Sequence, residues 1–541
     1  MQTYPTFTLA LLIASSFVQA QPAVKGARDG EALGLYAASA FRLSDGQCKD
    51  CQTPPQALWY FPADTIATPR VGTAGAEFDP THSATTRQDL PSLIWIGSSK
   101  VINSAQLTAD GQSLKLNSNQ SLAFNITPQL ASNRSYYNAA TQAFYQQRPL
   151  RLRGELVQER GQEKFIARSI WPKDFTLAAD APLRSLQQGE SLKTLVRANH
   201  GGAAAPFASR VLWERTPGST RQWDQLSALG IMLNGAQGDD DEAHGGHFAI
   251  TTGRYRQDGD WSNWLVNNFY NLDSYSEKGI VAAVTPMDKY LMDLNNGQSF
   301  YRPSYMLVAL LKNDQPAALY QGAINRVYNH LYRHDMDYNH SRNNCAGISV
   351  DTLQALGWNI PKQGPSGYAK AIGAYAYVAA SERSLEKGRQ IYDYLVEDQL
   401  RLYPALAFDV MGNDLLQLAQ GKATRSLTPY EQALANNIEA ILYVSIPQIP
   451  SSRALGLAPV YSFNEYMQQA PADRSQWQVV PTEPRPFPEA LRDEQTLPAA
   501  KSAPVPMPVA GTGLFSGMAV LGMLRVGKRW RKRRQQRKTQ T

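Results

Sequence analysis

Cys345 is the residue of this 541-residue chain whose type and setting best suit covalent chemistry. Of the three cysteines, Cys48 and Cys51 form a Cys-x-x-Cys pair, for which we favour a local disulfide over a redox motif. Cys345 is then left over, and apolar residues at helical spacing follow it as far as Gly357. We therefore expect the thiol at the first turn of a helix, where exposed N–H groups and the macrodipole lower its pKa. A buried, inert cysteine is the alternative.

A thiol nucleophile works best with an imidazole base that a third polar group orients. His247 opens a predicted strand, and Asp258-Gly259 predicts a tight hairpin turn into an aromatic-rich second strand. With a two-residue loop, His247 and Asn268 lie diagonally adjacent on one face of this hairpin. Asn268 is therefore the candidate to orient the imidazole, and a register slip of one residue would select Asn267 instead.

Two short motifs in this region resemble a known family. His-Phe-Ala-Ile-Thr-Thr-Gly at 247–253, followed by Asn-Asn-Cys-Ala-Gly-Ile at 343–348, is similar to the papain-like NlpC/P60 superfamily. The order His before Cys is that of its permuted branch, which includes lecithin–retinol acyltransferase-like enzymes and Lnb-type periplasmic proteins. The resemblance covers 207–360 and implies Cys345 as nucleophile, His247 as base and a polar third residue on the next strand.

The resemblance also implies a reaction. Members cleave amide or ester bonds in peptidoglycan peptides, proteins or lipids, or transfer acyl chains, so no cofactor and no metal are expected here. Asn268 stands where the acyltransferase subgroup has a histidine. The Cys345 thiolate would attack a carbonyl to give a thioester, and the backbone N–H of Cys345 would help to hold the oxyanion.

Two other classes of function stay open. One is a non-enzymatic cell-envelope protein whose hydrolase-like domain binds without cutting. The other is a metal-dependent hydrolase, although no recognised metalloprotease spacing occurs and a solvated acidic loop is the simpler interpretation. Its candidate ligands would be Asp239, Asp240, Asp241, Glu242, His244, His247, Asp335, Asp337 and His340.

Net charge argues against a nucleic-acid partner. The chain carries 53 basic and 46 acidic residues, a formal charge of +7. Nine of the basic residues follow position 524 and no acid does, so residues 1–524 carry 53 − 9 = 44 basic against 46 acidic residues, a net charge of −2. The excess belongs to the C-terminal end and not to the body of the protein.

Both ends of the chain are typical of targeting segments. The apolar run from Leu9 to Phe17 precedes a small-residue cleavage pattern, so residues 1–20 are expected to be a signal peptide. Segment 509–526 is expected to be a membrane-spanning or sorting helix, with the basic tail 527–541 in the cytoplasm. This end resembles Pro-Glu-Pro-type sorting signals, with Met507 where that family has Glu.

These segments predict a periplasmic body on the outer face of the inner membrane with a single C-terminal anchor. If the tail is cleaved, a surface or secreted protein is expected instead. The expected partners are a cell-envelope polymer, protein or lipid as substrate, the inner membrane, and a C-terminal sorting enzyme.

The predicted fold class is α+β, with a papain-like central domain. Leu150, Leu152 and Leu156 alternate with charged residues before a turn, which predicts a hairpin. Thr428-Pro429-Tyr430-Glu431 combines a capping box with a proline at the first helical position. The expected segments are a signal peptide 1–20, a β-rich domain 21–182, a permuted NlpC/P60-like cysteine hydrolase domain 183–362, a helical region 363–470, a Pro-rich linker 471–508, a transmembrane helix 509–526 and a basic tail 527–541.

Overall fold

The computed structural model describes most of the chain between residues 25 and 491. The described residues are 25–26, 32–45, 55–61, 64–70, 92–117, 120–130, 136–271, 280–334, 336, 338–339, 343–451, 453–471, 473–480 and 487–491. Within them, the strands are β1 (Lys25–Gly26), β2 (Ala32–Leu33), β3 (Tyr36–Ala37), β4 (Phe41–Asp45), β5 (Thr65–Pro69), β6 (Ile94–Gly97), β7 (Lys100–Leu107), β8 (Ser113–Asn117), β9 (Gln120–Ile126), β10 (Leu150–Glu159), β11 (Gln162–Pro172), β12 (Ala208–Glu214), β13 (Ser227–Asn234), β14 (His247–Arg254), β15 (Leu265–Asn271), β16 (Ile280–Pro286), β17 (Ser304–Leu311) and β18 (Ile438–Ile446).

Helices connect and cover these strands. They are α1 (Pro55–Tyr60), α2 (Ala139–Gln146), α3 (Leu192–Gly201), α4 (Met287–Met292), α5 (Gln298–Tyr301), α6 (Gln315–Tyr332), α7 (Cys345–Ala355), α8 (Tyr368–Ser381), α9 (Leu385–Val396), α10 (Gln399–Leu402), α11 (Pro404–Ala419), α12 (Pro429–Asn437) and α13 (Phe463–Gln469). Short 3-10 turns lie at Ala38–Ala40, Asp241–Gly245, Arg474–Gln476 and Glu489–Leu491. The capping box predicted at Thr428 is confirmed, with Glu431 as its reciprocal partner.

A ten-stranded sheet positions the candidate site. Its strand order is β12-β18-β17-β13-β14-β15-β16-β6-β5-β4. Strands β13 and β17 are buried along their whole length, because each is a nearly continuous apolar run with no polar alternation. Burying one such Leu side chain stabilises the fold by roughly 1.5–3 kcal/mol. Helices α6, α7 and α11 pack against the central strands.

A second, six-stranded sheet has the strand order β1-β7-β10-β11-β9-β8. The hairpin predicted after Leu150 is confirmed, since β10 and β11 pair from Leu150 opposite Pro172 to Glu159 opposite Gln162. Arg160 and Gly161 form the two-residue loop, with φ angles of 51° and 81°. Positive φ at both positions is what a type I′ turn needs.

The fold class expected from the sequence is wrong in assigning the β-rich, central and helical regions to separate folding units. Strands β4 to β6 come from the expected β-rich domain and β18 from the expected helical region, yet all four belong to the ten-stranded sheet. Strand β18 lies between β12 and β17 and pairs with both. The apolar run of β18 does not alternate with polar residues. Because such a run has no distinctive period, the strand was not predicted between its helical neighbours.

The expected Pro-rich stalk and C-terminal transmembrane helix are the other two parts of that fold class, and the structure does not agree with them either. Phe487, in the expected Pro-rich stalk, is buried and packs against Trp59 and His334, so this part of the stalk lies on the body. No helix among the described residues has the length and apolarity needed to cross a bilayer. The longest of them, α6, has 18 residues and carries polar side chains such as Asn325. Segment 509–526 itself lies outside the described residues.

Candidate active site

His247 opens β14 at the end of the sheet where β13 finishes. Asn234, the last residue of β13, is its antiparallel partner, and the imidazole is buried. Gly246 precedes it with a φ of 73°, and a Cβ there would lie 2.4 Å from the Asn234 carbonyl oxygen. This sharp entry therefore requires glycine, and it fixes the place of the imidazole at the strand end.

The imidazole is hydrogen bonded to Asn268 of the neighbouring strand β15. The bond joins Nε2 of His247 to Oδ1 of Asn268, and Ile250 pairs with Asn267, which is the register expected from the sequence. The prediction of a two-residue hairpin loop is wrong, because residues 255–264 separate the two strands. Since an amide oxygen only accepts, Nε2 carries the proton and Nδ1 keeps the lone pair of a general base.

Cys345 is the first residue of α7, as predicted. Asn344 is the N-cap, and its Oδ1 accepts the Gly347 N–H at 2.8 Å. The helix packs against β14, and the N–H group of Phe248 is directed at the sulfur. The thiol thus lies beside the residue that follows His247, in one corner of the fold with the imidazole.

Both reactive groups are neutral in this arrangement. Burial raises the pKa of the Cys345 thiol, although the surrounding N–H and O–H donors and the Arg302 charge act in the opposite direction. Burial lowers the pKa of His247 to about 3, the Arg302 charge adds to this effect, and the bond to Asn268 opposes it. The expected lowering of the thiol pKa at the helix start is therefore wrong here, because desolvation outweighs the helix dipole.

Tyr338 covers the thiol. Its hydroxyl accepts the backbone N–H of Cys345 at 3.4 Å and also contacts the sulfur, while its ring lies on Phe269 with centroids 5.0 Å apart. The N–H group that was expected to hold an oxyanion is therefore occupied. A substrate carbonyl has to displace this hydroxyl before the N–H can stabilise a tetrahedral intermediate.

Sequence reasoning missed several polar residues near the imidazole. Asn234 donates to the Ser304 hydroxyl at 2.9 Å and accepts a hydrogen bond from the Tyr290 hydroxyl. Arg302, just before β17, supplies the positive charge that acts on both reactive groups. The available signal was a lone polar residue at the end of β13 and another at the start of β17, each beside an otherwise apolar run.

The alternative metal ligands do not gather into a site within the described residues. Asp239 pairs with Arg453, and Nε2 of His244 lies 3.0 Å from Oδ1 of Asp241. The structure, as far as it describes the chain, places no group of three or more His, Cys, Asp or Glu side chains where they could hold a metal ion. The other candidates, Asp335, Asp337 and His340, lie outside the described residues.

The remaining sequence predictions fall on segments that the structure does not describe. These are the Cys48–Cys51 disulfide, the signal peptide 1–20 and the basic tail 527–541. Comparisons of the chain with protein-family models, with curated proteins and with solved structures find no match. The resemblance to the NlpC/P60 superfamily therefore rests on the two short motifs at 247–253 and 343–348.

Proposed function

We propose that this chain is an exported thiol hydrolase or acyl transferase of the permuted NlpC/P60 type. Its substrate would be an amide or ester of the cell envelope: a peptidoglycan peptide, a protein or a lipid. The observation that carries the proposal is the His247–Asn268 hydrogen bond beside the helix that begins at Cys345. A thiol at a helix start, an imidazole with one free nitrogen and a polar group on its other nitrogen are the parts that thiol catalysis needs.

The proposed reaction begins when the substrate displaces the Tyr338 hydroxyl. Nδ1 of His247 takes the thiol proton as the Cys345 sulfur attacks the carbonyl carbon, and the carbonyl π electrons move to its oxygen. The Cys345 N–H stabilises that oxyanion. Collapse of the intermediate breaks the bond to the amine or alcohol, which leaves with the imidazolium proton and gives a thioester. Water or an acceptor then attacks the thioester and restores the thiol.

The neutral thiol and imidazole correspond to a resting state in this proposal. A base whose conjugate acid has a pKa of about 3 accepts a proton poorly. Polar groups of the substrate, or water that enters with it, would solvate the imidazole and restore its basicity. Catalysis therefore depends on opening of the cover formed by Tyr338.

A non-catalytic binding protein is the second candidate. The observation that favours it is the burial of the thiol, since Cys345 is only 5% exposed and its sulfur is already in contact with Tyr338. Under this alternative the polar corner is structural, and replacing Cys345 would leave binding intact.

The test compares wild type with Cys345→Ala and Cys345→Ser on panels of peptidoglycan, peptides and lipid esters. We expect both variants to lose turnover by about a thousandfold or more, because neither supplies a thiolate. A chelator should leave wild-type turnover unchanged, and a loss of turnover on adding the chelator would favour the metal-dependent class. Equal turnover by wild type and Cys345→Ala would contradict the thiol mechanism.

A further inference from the structure

Arg302 is a cation with uncharged partners. Its guanidinium donates to the Gly235 carbonyl oxygen at 3.2 Å and to Oε1 of Gln237 at 3.1 Å. Its Nε is fully buried and has no hydrogen-bond partner among the described residues. A partly buried cation that is held only by neutral acceptors keeps much of its desolvation cost.

The nearby carboxylates do not neutralise this charge by direct contact. Asp239 is engaged by Arg453. Burial raises the pKa of Asp240 to about 6, although the charge of Arg302 acts in the opposite direction. Within the part of the chain that the structure describes, no carboxylate oxygen forms an ion pair with Arg302. The Nε–H of this guanidinium is therefore left to donate to one more partner, and the positive charge favours an anion.

The position of Arg302 links it to the reactive corner. Gly235, which accepts its hydrogen bond, follows Asn234, the sheet partner of His247. The charge of Arg302 acts on the pKa of His247 and on that of Cys345. A ligand anion bound to this guanidinium would thus lie next to the carbonyl that the thiol attacks.

We propose that Arg302 binds a carboxylate of the substrate, so that the site selects peptide-like amides with a free carboxylate beside the scissile bond. This inference rests on the function proposed above. The unpartnered Nε–H and a neighbouring N–H of the guanidinium form a planar fork that matches the two carboxylate oxygens. A terminal carboxylate carries one chain, whereas a lipid phosphodiester carries two, so the carboxylate fits a buried site better.

The test uses iodoacetate and iodoacetamide, which differ by one carboxylate beside the reacting carbon. In both reactions the Cys345 sulfur displaces iodide, a C–S bond replaces the C–I bond, and the thiol proton passes to the base. The rate constants are measured on the full chain at pH 7, with the Cys345 peptide resolved by mass spectrometry. We expect Arg302→Gln to lower the iodoacetate-to-iodoacetamide ratio about tenfold, and Arg302→Lys to give an intermediate value.

Arg453→Gln is the matched control, because Arg453 lies in the same region but is paired with Asp239. We expect this variant to keep the wild-type ratio. An unchanged ratio in Arg302→Gln, or an equal loss in Arg453→Gln, would overturn the proposal. The iodoacetamide rate alone reports the reactivity of the thiol, so failure of the proposed function is distinguished from failure of carboxylate binding.

A binding measurement covers the case in which Cys345 does not react. Calorimetry should detect binding of N-acetylalanine to the Cys345→Ala variant. We expect the affinity to fall about tenfold or more when Arg302→Gln is combined with Cys345→Ala. N-acetylalanine amide, which lacks the charge, should bind more weakly to the same protein. Binding of glycerol 3-phosphate in preference to N-acetylalanine would contradict the assignment in favour of a phosphate ligand, and absence of any binding would overturn it.

Discussion

Arg302 and Arg425 are two arginines with opposite surroundings. Arg425 donates to Asp414 at 2.6 Å and to Glu431 at 2.6 Å, and both carboxylates are almost fully buried. The remaining oxygens of this cluster also have donors, such as the Trp358 indole N–H on Asp414 at 2.7 Å. Arg302, in contrast, has only neutral acceptors and one unpartnered Nε within the described residues.

The difference separates a structural cluster from a candidate site. The bond to Asp414 raises the pKa of Arg425, whereas burial lowers the pKa of Arg302. Beside His247, the buried Nδ2 of Asn268 also lacks a partner among the described residues. Unmatched buried polar atoms cost stability, and proteins retain them where a ligand completes the set. The charge pattern thus points to function at Arg302 and to fold stability at Arg425.

The largest effect predicted from this comparison is on stability at Arg425. Arg425→Gln leaves two buried carboxylates without their cation, so the free energy of unfolding should fall by about 4 kcal/mol. Arg302→Gln should cost about 1 kcal/mol or less, because the lost hydrogen bonds are offset by removal of an unpaired charge. Urea unfolding of the two variants measures both values. Similar losses in the two variants would break the distinction.

A second effect concerns acid stability at His247. Its pKa is lowered to about 3 in the folded protein by burial, against an ordinary value near 6.5. Between these values the unfolded chain binds the proton and the folded chain does not, so stability falls as pH falls through this window. Half of this pKa shift already corresponds to a loss of about 2 kcal/mol in the free energy of unfolding. His247→Gln should lack this loss when unfolding is measured from pH 7 to pH 3, and an identical pH dependence would contradict the burial of a neutral imidazole.

A smaller effect is expected at the residue that positions the imidazole. Asn268→Ala should slow iodoacetamide labelling of Cys345 at pH 7 by about tenfold, because the imidazole loses the acceptor that fixes its tautomer. Asn267→Ala is the matched control, since Asn267 is equally buried on the same strand but bonds to the Ile250 carbonyl oxygen. Equal slowing in both variants would show that any cavity on this strand has the same effect.

Local sequence patterns predicted the individual residues of the site. The features that they did not predict depend on pairings between distant segments of the chain. The start of α7 at Cys345 and the register of Ile250 with Asn267 follow from helical spacing and strand alternation. Strand β18 and the place of Arg302 depend on contacts between segments far apart in the chain. The burial of the thiol, which raises its pKa, also depends on such a contact, because α7 packs against β14. Neither periodicity nor motif spacing records them.

The central claim is that Cys345, His247 and Asn268 act as one nucleophile, base and positioning group. The rate constant of Cys345 alkylation by iodoacetamide in native wild type and in His247→Gln tests it most directly. At pH 7 we predict a rate at least about tenfold lower in His247→Gln, with the two rates converging at alkaline pH, where the thiol ionises without a base. Equal rates at pH 7, or labelling of Cys345 only after unfolding, would contradict the claim.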